Sequence, residues 1–139
     1  MKPAVDSTGA FLEWADERFV ALTTYRKTGV AVSTPVWIAT DGTTLMVTTP
    51  ADSGKVKRLR NNSRVELRPS SRRGAVEPNA PTVSGKAEIL EDQADVERLG
   101  RIFRKKYGFE YRMFLLVERL IAFRNRRRFI LRITPTDAD

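Results

Sequence analysis

VSTPVWIATDGTTLMVTTPADSGKVKRLRNNSRVEL, residues 32–67, contains most of the signals from which a fold can be inferred. Two runs rich in β-branched residues flank the Asp-Gly pair at 41–42, a typical hairpin turn, and predict two antiparallel strands. Pro35 has no amide hydrogen to donate, so the first strand is expected at a sheet edge or at a bulge. Ser53 is a suitable N-cap for the helix that follows. The alternation in residues 64–67 predicts another half-buried strand.

The flanking segments extend this pattern to a small, mostly β domain. Asp92 is expected to cap a helix with apolar residues at helical spacing, and residues 112–123 also look helical. Gly85 within a strand indicates a bulge. Tight turns between strands, interrupted by helices, predict one domain over residues 1–139 that forms a mostly antiparallel barrel with flanking helices. The predicted strands are residues 18–25, 30–40, 44–49, 64–70, 82–90 and 127–134.

The composition excludes several kinds of active site. The chain has no cysteine and no histidine, which removes disulfides, thiolate nucleophiles, the commonest general base and the commonest metal ligand. No metal site is expected, and the difficult chemistry of an enzyme would belong to a cofactor. The longest apolar stretch, residues 113–123, is broken by Glu118 and Arg119 and predicts no membrane span. The N-terminus lacks the apolar core of a signal peptide, so a cytoplasmic location is expected.

Positive charge is concentrated in two parts of the chain. The net charge is +8, and residues 55–73 contain eight basic residues and one acidic residue. Such a field attracts nucleic acids, acidic membranes or phosphorylated small molecules, and charge alone does not choose among them. Ser53 and Lys55 begin a helix, where a phosphate can bind, although a solvated basic face is the more common meaning of such a run. Trp37 fits both a structural and a ring-stacking role.

The order of these elements resembles the cofactor-binding core of the pyridoxamine-phosphate-oxidase-like split β-barrels, also called FMN-binding split barrels. The resemblance extends over residues 18–134, and TPVW followed by SGKVKRLR is similar to the branch that uses the deazaflavin coenzyme F420. It implies a homodimer with two cofactor sites at its interface. By the same resemblance, Ser53, Lys55, Thr48 and Thr49 face the cofactor phosphate, and Lys57 matches a basic cofactor-binding position on the helix. The ring lies along Thr34, Pro35, Val36 and Trp37.

Departures from the flavin mononucleotide (FMN) oxidases favour the deazaflavin. Gly54 stands where those enzymes often have a second basic residue, and Thr-Pro stands where they have an apolar pair. The deazaflavin carries one phosphate and a tail of glutamates, which a basic mouth containing Arg60, Arg72 and Arg73 would attract.

The expected function is therefore that of an oxidoreductase that transfers a hydride from the reduced coenzyme F420 to an unsaturated small-molecule substrate. No catalytic side chain is identified, and Tyr25, Tyr107 or water are candidate proton donors. Two alternatives keep the same fold: an FMN-binding flavoprotein, and a non-catalytic protein that carries the cofactor. A nucleic-acid-binding module is a further alternative, based on residues 123–129, but no nucleic-acid partner is expected.

Overall fold

A computed structural model of the protein describes residues 11–71, 73–110, 112–113, 116–117 and 127–136. These residues form seven strands and two α-helices, preceded by a short 3-10 helix at Glu13–Asp16. The strands are β1 (Val20–Tyr25), β2 (Ala31–Val36), β3 (Ile38–Thr40), β4 (Leu45–Pro50), β5 (Arg64–Pro69), β6 (Val83–Leu90) and β7 (Arg128–Pro135). The helices are α1 (Gly54–Asn61) and α2 (Gln93–Tyr107).

All seven strands belong to one curled antiparallel sheet with the order β2-β1-β5-β6-β7-β4-β3. The prediction of a mostly β, mostly antiparallel barrel with flanking helices is confirmed, and the curled sheet forms a half-barrel. Most of the helix predicted at 112–123 lies outside the described residues. Its described parts, residues 112–113 and 116–117, are helical.

The chain changes its strand partner at Trp37. The single strand predicted for residues 30–40 is wrong, because β2 pairs with β1 whereas β3 pairs with β4. Pro35 lies on β2, an edge strand, as its missing amide hydrogen predicted. Since β2 and β3 are the two edges of the sheet, the half-barrel is open between two strands that are consecutive in sequence.

The interior of the half-barrel is an apolar core contributed by most of the strands. Val65 and Leu67 face this core as their alternation predicted, and both are buried. Leu22, Ile38 and Leu131 pack in the same cluster. Burial of side chains of this size contributes about 1.5–3 kcal/mol each, so the core fixes the register of the strands.

Gly85 occupies a regular position in β6, and the predicted bulge there is wrong. It pairs in register with Val65 on one side and with Pro135 on the other. A Cβ atom on Gly85 would lie 2.7 Å from the carbonyl oxygen of Thr134. Glycine at this position therefore allows β7 to approach β6 closely, and the register of the strands does not change.

Helix α2 covers the outer face of the sheet. The Asp92 side chain accepts a hydrogen bond from the Ala94 amide at 2.9 Å, which confirms the predicted cap. Phe103 is fully buried. It belongs to a second apolar cluster with Leu99, Tyr107, Ala39, Met46 and Ile130. Strand β7 is consequently buried on both faces, since Leu131 and Ile133 point into the half-barrel.

Lys106 joins α2 to two backbone segments, residues 15–17 and the start of β3. Its Nζ donates to the carbonyl oxygens of Ala15 at 2.5 Å, Glu17 at 2.7 Å and Ile38 at 2.7 Å. Burial lowers the pKa of Lys106 to about 8, although three acceptors favour the ammonium form.

We expect the free energy of unfolding of the parent protein minus that of Lys106→Met to increase as pH rises. An unfolded lysine has a pKa of about 10.4, so above about pH 8 the unfolded chain binds more protons than the folded chain. The free energy of unfolding of the parent therefore rises with pH in this window, and the variant lacks that contribution. Urea unfolding of both proteins at about pH 7 and about pH 9.5 measures the difference. A value of parent minus variant that is lower at about pH 9.5 than at about pH 7 would contradict the lowered pKa.

Candidate functional site

A cavity of about 540 Å³ lies at the open side of the half-barrel. It is lined by residues of β2, β4, β7 and α1, and by residues that follow α2. Six of the residues predicted to bind a cofactor are among those that line it, namely Pro35, Val36, Trp37, Thr48, Thr49 and Lys55. The others are Phe19, Pro50, Glu110, Met113, Val117 and Arg128.

Lys55 and Arg128 form what we call the cationic end of the cavity. The Nζ of Lys55 donates to the Thr34 hydroxyl at 3.3 Å, and the Nε of Arg128 donates to the Thr48 hydroxyl at 3.0 Å. Burial, together with the guanidinium groups of Arg58 and Arg128, lowers the pKa of Lys55. Among the described residues, no carboxylate forms an ion pair with Lys55. A half-buried ammonium beside two other cations favours an anionic ligand.

The start of α1 forms the polar wall next to the cationic end. Ser53 has the N-cap position with an extended backbone, as predicted, but its side chain makes no capping hydrogen bond. Its hydroxyl is instead 3.0 Å from the hydroxyl of Thr49. The first amides of α1 are thus not capped by that side chain, and a helix start of this kind favours an anion.

Arg58 lies one helical turn after Gly54 and folds back over it. A Cβ atom on Gly54 would lie 2.7 Å from one terminal nitrogen of the Arg58 guanidinium. The Nε of Arg58 donates to the buried hydroxyl of Thr24 at 2.6 Å. Burial and the charge of Arg26 lower the pKa of Arg58. A third cation therefore stands beside Lys55, close to the cationic end.

The opposite end of the cavity, which we call the aromatic end, is formed by Phe19 and Trp37 together with Met113 and Val117. The Trp37 ring stacks on Tyr107 with a centroid distance of 4.8 Å and contacts Phe19 edge-on at 6.5 Å. Trp37 therefore has the structural role considered for it, because it packs in the α2 cluster. It also lines the cavity, and its stacking on a cofactor ring stays a prediction.

One acidic side chain, Glu110, lines the aromatic end, and it is paired with Arg18. Strand β2 connects the two ends, because Thr34 contacts Lys55 and Trp37 follows the strand. Three residues of an extended strand span about 10 Å. Lys55 and Trp37 thus place a cation and an aromatic ring at separate positions of one cavity.

Neither tyrosine considered as a proton donor lines the cavity. The Tyr107 hydroxyl accepts from the Ile38 amide at 3.0 Å and donates to the Arg18 carbonyl at 2.7 Å. Burial raises the pKa of Tyr107 to about 12, which leaves its proton firmly bound. Tyr25 lies against the guanidinium of Arg64 instead.

The described basic residues predicted for the mouth and for position 57 are not among those that line the cavity. Lys57 and Arg73 are exposed, Arg60 pairs with Glu91 at 3.0 Å, and Arg72 lies outside the described residues. The Arg73 loop is nevertheless close to β2, because a Cβ atom on Gly74 would lie 3.2 Å from the Pro35 ring.

The cavity is also lined by residues that were not predicted there, namely Phe19, Pro50, Glu110, Met113 and Val117. Arg128 was considered only within the basic run at 123–129, as a residue that projects toward the partner chain or toward the acidic tail of a cofactor. Most of these residues are distant in sequence from the motif at 32–67 and reach the cavity through strand pairing or helix packing, for which no local signal exists. Arg128, for example, is placed there by the pairing of β7 with β4, opposite Pro50.

In the part of the chain that the structure describes, no group of acidic residues could hold a metal ion. No helix in the same residues is long and apolar enough to cross a membrane.

Comparisons with known proteins agree with this architecture. A conserved hypothetical protein from Mycobacterium tuberculosis is 23% identical, with a TM-score of 0.64 over 99% of this chain and 82% of that chain. A structure named F420 reductase is 20% identical, with a TM-score of 0.57 over 92% of each chain. A heme storage protein from Vibrio cholerae is 12% identical, with a TM-score of 0.59 over 96% of this chain and 90% of that chain. At identities this low, the TM-scores show a shared fold and no more than that.

A comparison with curated protein sequences gives no match. The family model described as pyridoxamine 5'-phosphate oxidase matches residues 7–139, which is nearly the whole chain. The protein therefore belongs to the pyridoxamine 5'-phosphate oxidase family and has the split-barrel fold of that family.

Proposed function

We propose that the protein is an oxidoreductase that uses reduced coenzyme F420 to transfer a hydride to an unsaturated small molecule. The observation that carries the proposal is the cavity, whose cationic end contains a half-buried lysine and whose other end is aromatic. A phosphate and a flat ring, joined by a short chain, match these two ends in chemistry and in spacing. The likeness to an F420 reductase supports the choice of cofactor.

The residues of the cavity fit such a cofactor. Lys55 and Arg128 would hold the phosphate, with the hydroxyls of Ser53 and Thr49 beside it. Val36 at the end of β2 and Trp37 after it would support the ring, and Phe19 would help to exclude water. When bound, the cofactor supplies the hydride, so the protein has to provide position and a dry environment rather than an acid-base pair.

The surplus of positive charge favours the deazaflavin over FMN. A single phosphate can be neutralised by Lys55 and Arg128, whereas Arg58 and the exposed Lys57 and Arg73 leave positive charge for further anionic groups. The glutamate tail supplies such groups. Each exposed contact would contribute at most about 1 kcal/mol and would weaken with salt.

Turnover separates an enzyme from a cofactor carrier. The purified protein, loaded with reduced F420, is mixed with a panel of enones, quinones and tetrapyrroles, and oxidation of the cofactor is followed by its absorbance. We expect saturable oxidation with at least one substrate class, and reduction of that substrate in equal amount. Tight binding of the cofactor without turnover on any of the panel would favour the carrier.

We also propose that the protein is a homodimer, because apolar residues are exposed beside the cavity. Phe109 is 76% exposed, and Met113, Leu116 and Val117 are each at least 40% exposed. A second copy that covers them would also close the aromatic end of the cavity. Sedimentation equilibrium at micromolar concentration is expected to give twice the chain mass of 15.8 kDa. A single species of 15.8 kDa would contradict the proposal.

A further inference from the structure

We infer that Arg58, held by Thr24, determines which cofactor the site accepts by binding the anionic group that follows the phosphate. The inference rests on the proposed function and extends it to a specificity residue. Lys57, by contrast, is exposed on the same helix and makes no side-chain hydrogen bond or ion pair among the described residues.

The position of Arg58 is fixed by two contacts. Its Nε donates to the Thr24 hydroxyl at 2.6 Å, on a residue that is fully buried. One of its terminal nitrogens fills the space over Gly54 that a side chain at that residue would take. The arginine therefore reaches from the second turn of α1 back to the place where the helix begins.

Strand pairing places Arg58 next to Lys55. Lys55 is bound to Thr34 and Arg58 to Thr24, and these two threonines share one face of the sheet, since Leu22 pairs with Thr34 and precedes Thr24 by two residues. Diagonal neighbours of this kind lie about 7–8 Å apart. The two cations therefore stand side by side, each held by its own threonine.

The charges around Arg58 point to a second anionic group on the ligand. No carboxylate among the described residues pairs with Arg58, and Arg26 adds positive charge near it. In the deazaflavin the tail begins at the phosphate, so its first carboxylates lie a few bonds beyond it. FMN ends at the phosphate and has nothing to place at Arg58.

The test compares binding of F420 and of FMN by titration calorimetry in four proteins: the parent, Arg58→Gln, Thr24→Val and Arg60→Gln. Arg60→Gln is the matched control, because it removes the same charge from the same helix but from a side chain paired with Glu91. Arg58→Gln should weaken F420 binding about tenfold and FMN binding no more than about threefold. Thr24→Val keeps the charge but frees the side chain, and should give a smaller loss for F420.

A fifth protein, Gly54→Ala, tests the geometry directly. Its methyl group would displace the guanidinium, which is the end of a flexible side chain, without disturbing the core. It should weaken F420 binding in the parent and have little effect on it in the Arg58→Gln variant.

Two outcomes would overturn the inference and leave the proposed function intact. One is an equal loss of affinity for F420 and FMN in Arg58→Gln, and the other is a loss of F420 affinity no larger than in Arg60→Gln. Failure of the parent to bind F420 would overturn both.

Discussion

Replacement of Lys55 by methionine should weaken F420 binding by about ten- to a hundredfold, because it removes a charge-assisted contact worth about 1.5–3 kcal/mol. Methionine keeps most of the side-chain volume. The ligand-free protein should unfold at the same temperature or higher, since burial and the neighbouring guanidinium groups already disfavour the Lys55 ammonium. Binding is measured by titration calorimetry, and unfolding by circular dichroism.

The pH dependence of binding provides a second test of Lys55. The phosphate needs the ammonium form, and the pKa of Lys55 is lowered in the free protein. Affinity should therefore fall as pH rises through that lowered pKa, and binding should take up a proton. Lys55→Arg should keep the charge and lose the pH dependence. The control is Lys105→Met, an exposed lysine on α2, which should bind as the parent does. Affinity of Lys55→Met within twofold of the parent would remove Lys55 from the site.

The largest loss of stability is expected from Phe103→Ala, at about 3–5 kcal/mol. Phe103 has no exposed surface, and its ring stacks near Tyr107, which in turn supports Trp37 at the cavity. Truncation would leave a cavity between α2 and the sheet. Urea unfolding with an unchanged slope would measure the loss as a shift of the midpoint.

Phe103→Leu tests whether the loss of stability depends on how much of the buried space the side chain fills. Leucine fills part of the space, so its loss should be clearly smaller than that of alanine. If both variants unfold at the midpoint of the parent, α2 does not contribute to the core as described.

The parts of the fold that could be predicted are those with a local physical signature. Asp92 caps α2, Pro35 lies on an edge strand, and Val65 and Leu67 face the core, each because of a property of the residue itself or of its immediate neighbours. The break at Trp37 has no such signature. Residues 30–40 are one continuous run of strand-forming residues, and only the closure of the sheet assigns its two halves to different partners.

The same distinction applies to the site. Residues 34–37 and Lys55 belong to one contiguous motif. The structure brings residues 35–37 and Lys55 to one cavity, and Thr34 accepts a hydrogen bond from Lys55. Arg128 and Phe19 come from other parts of the chain and could be found only from strand pairing. Arg58 and Lys57 are adjacent basic residues of one helix, and the sequence does not distinguish them. Gly54, one turn earlier, allows Arg58 to fold over the start of the helix.

Titration of the parent protein with F420 and with FMN, at equal salt and pH, tests the central claim most directly. We predict one F420 per chain, bound at least tenfold more tightly than FMN, a preference of about 1.4 kcal/mol or more. The preference should narrow as salt is raised, because part of the attraction for the tail is exposed to solvent. Equal affinity for the two cofactors would make the protein an FMN-binding member of the family, and failure to bind either would contradict the assignment of the cavity.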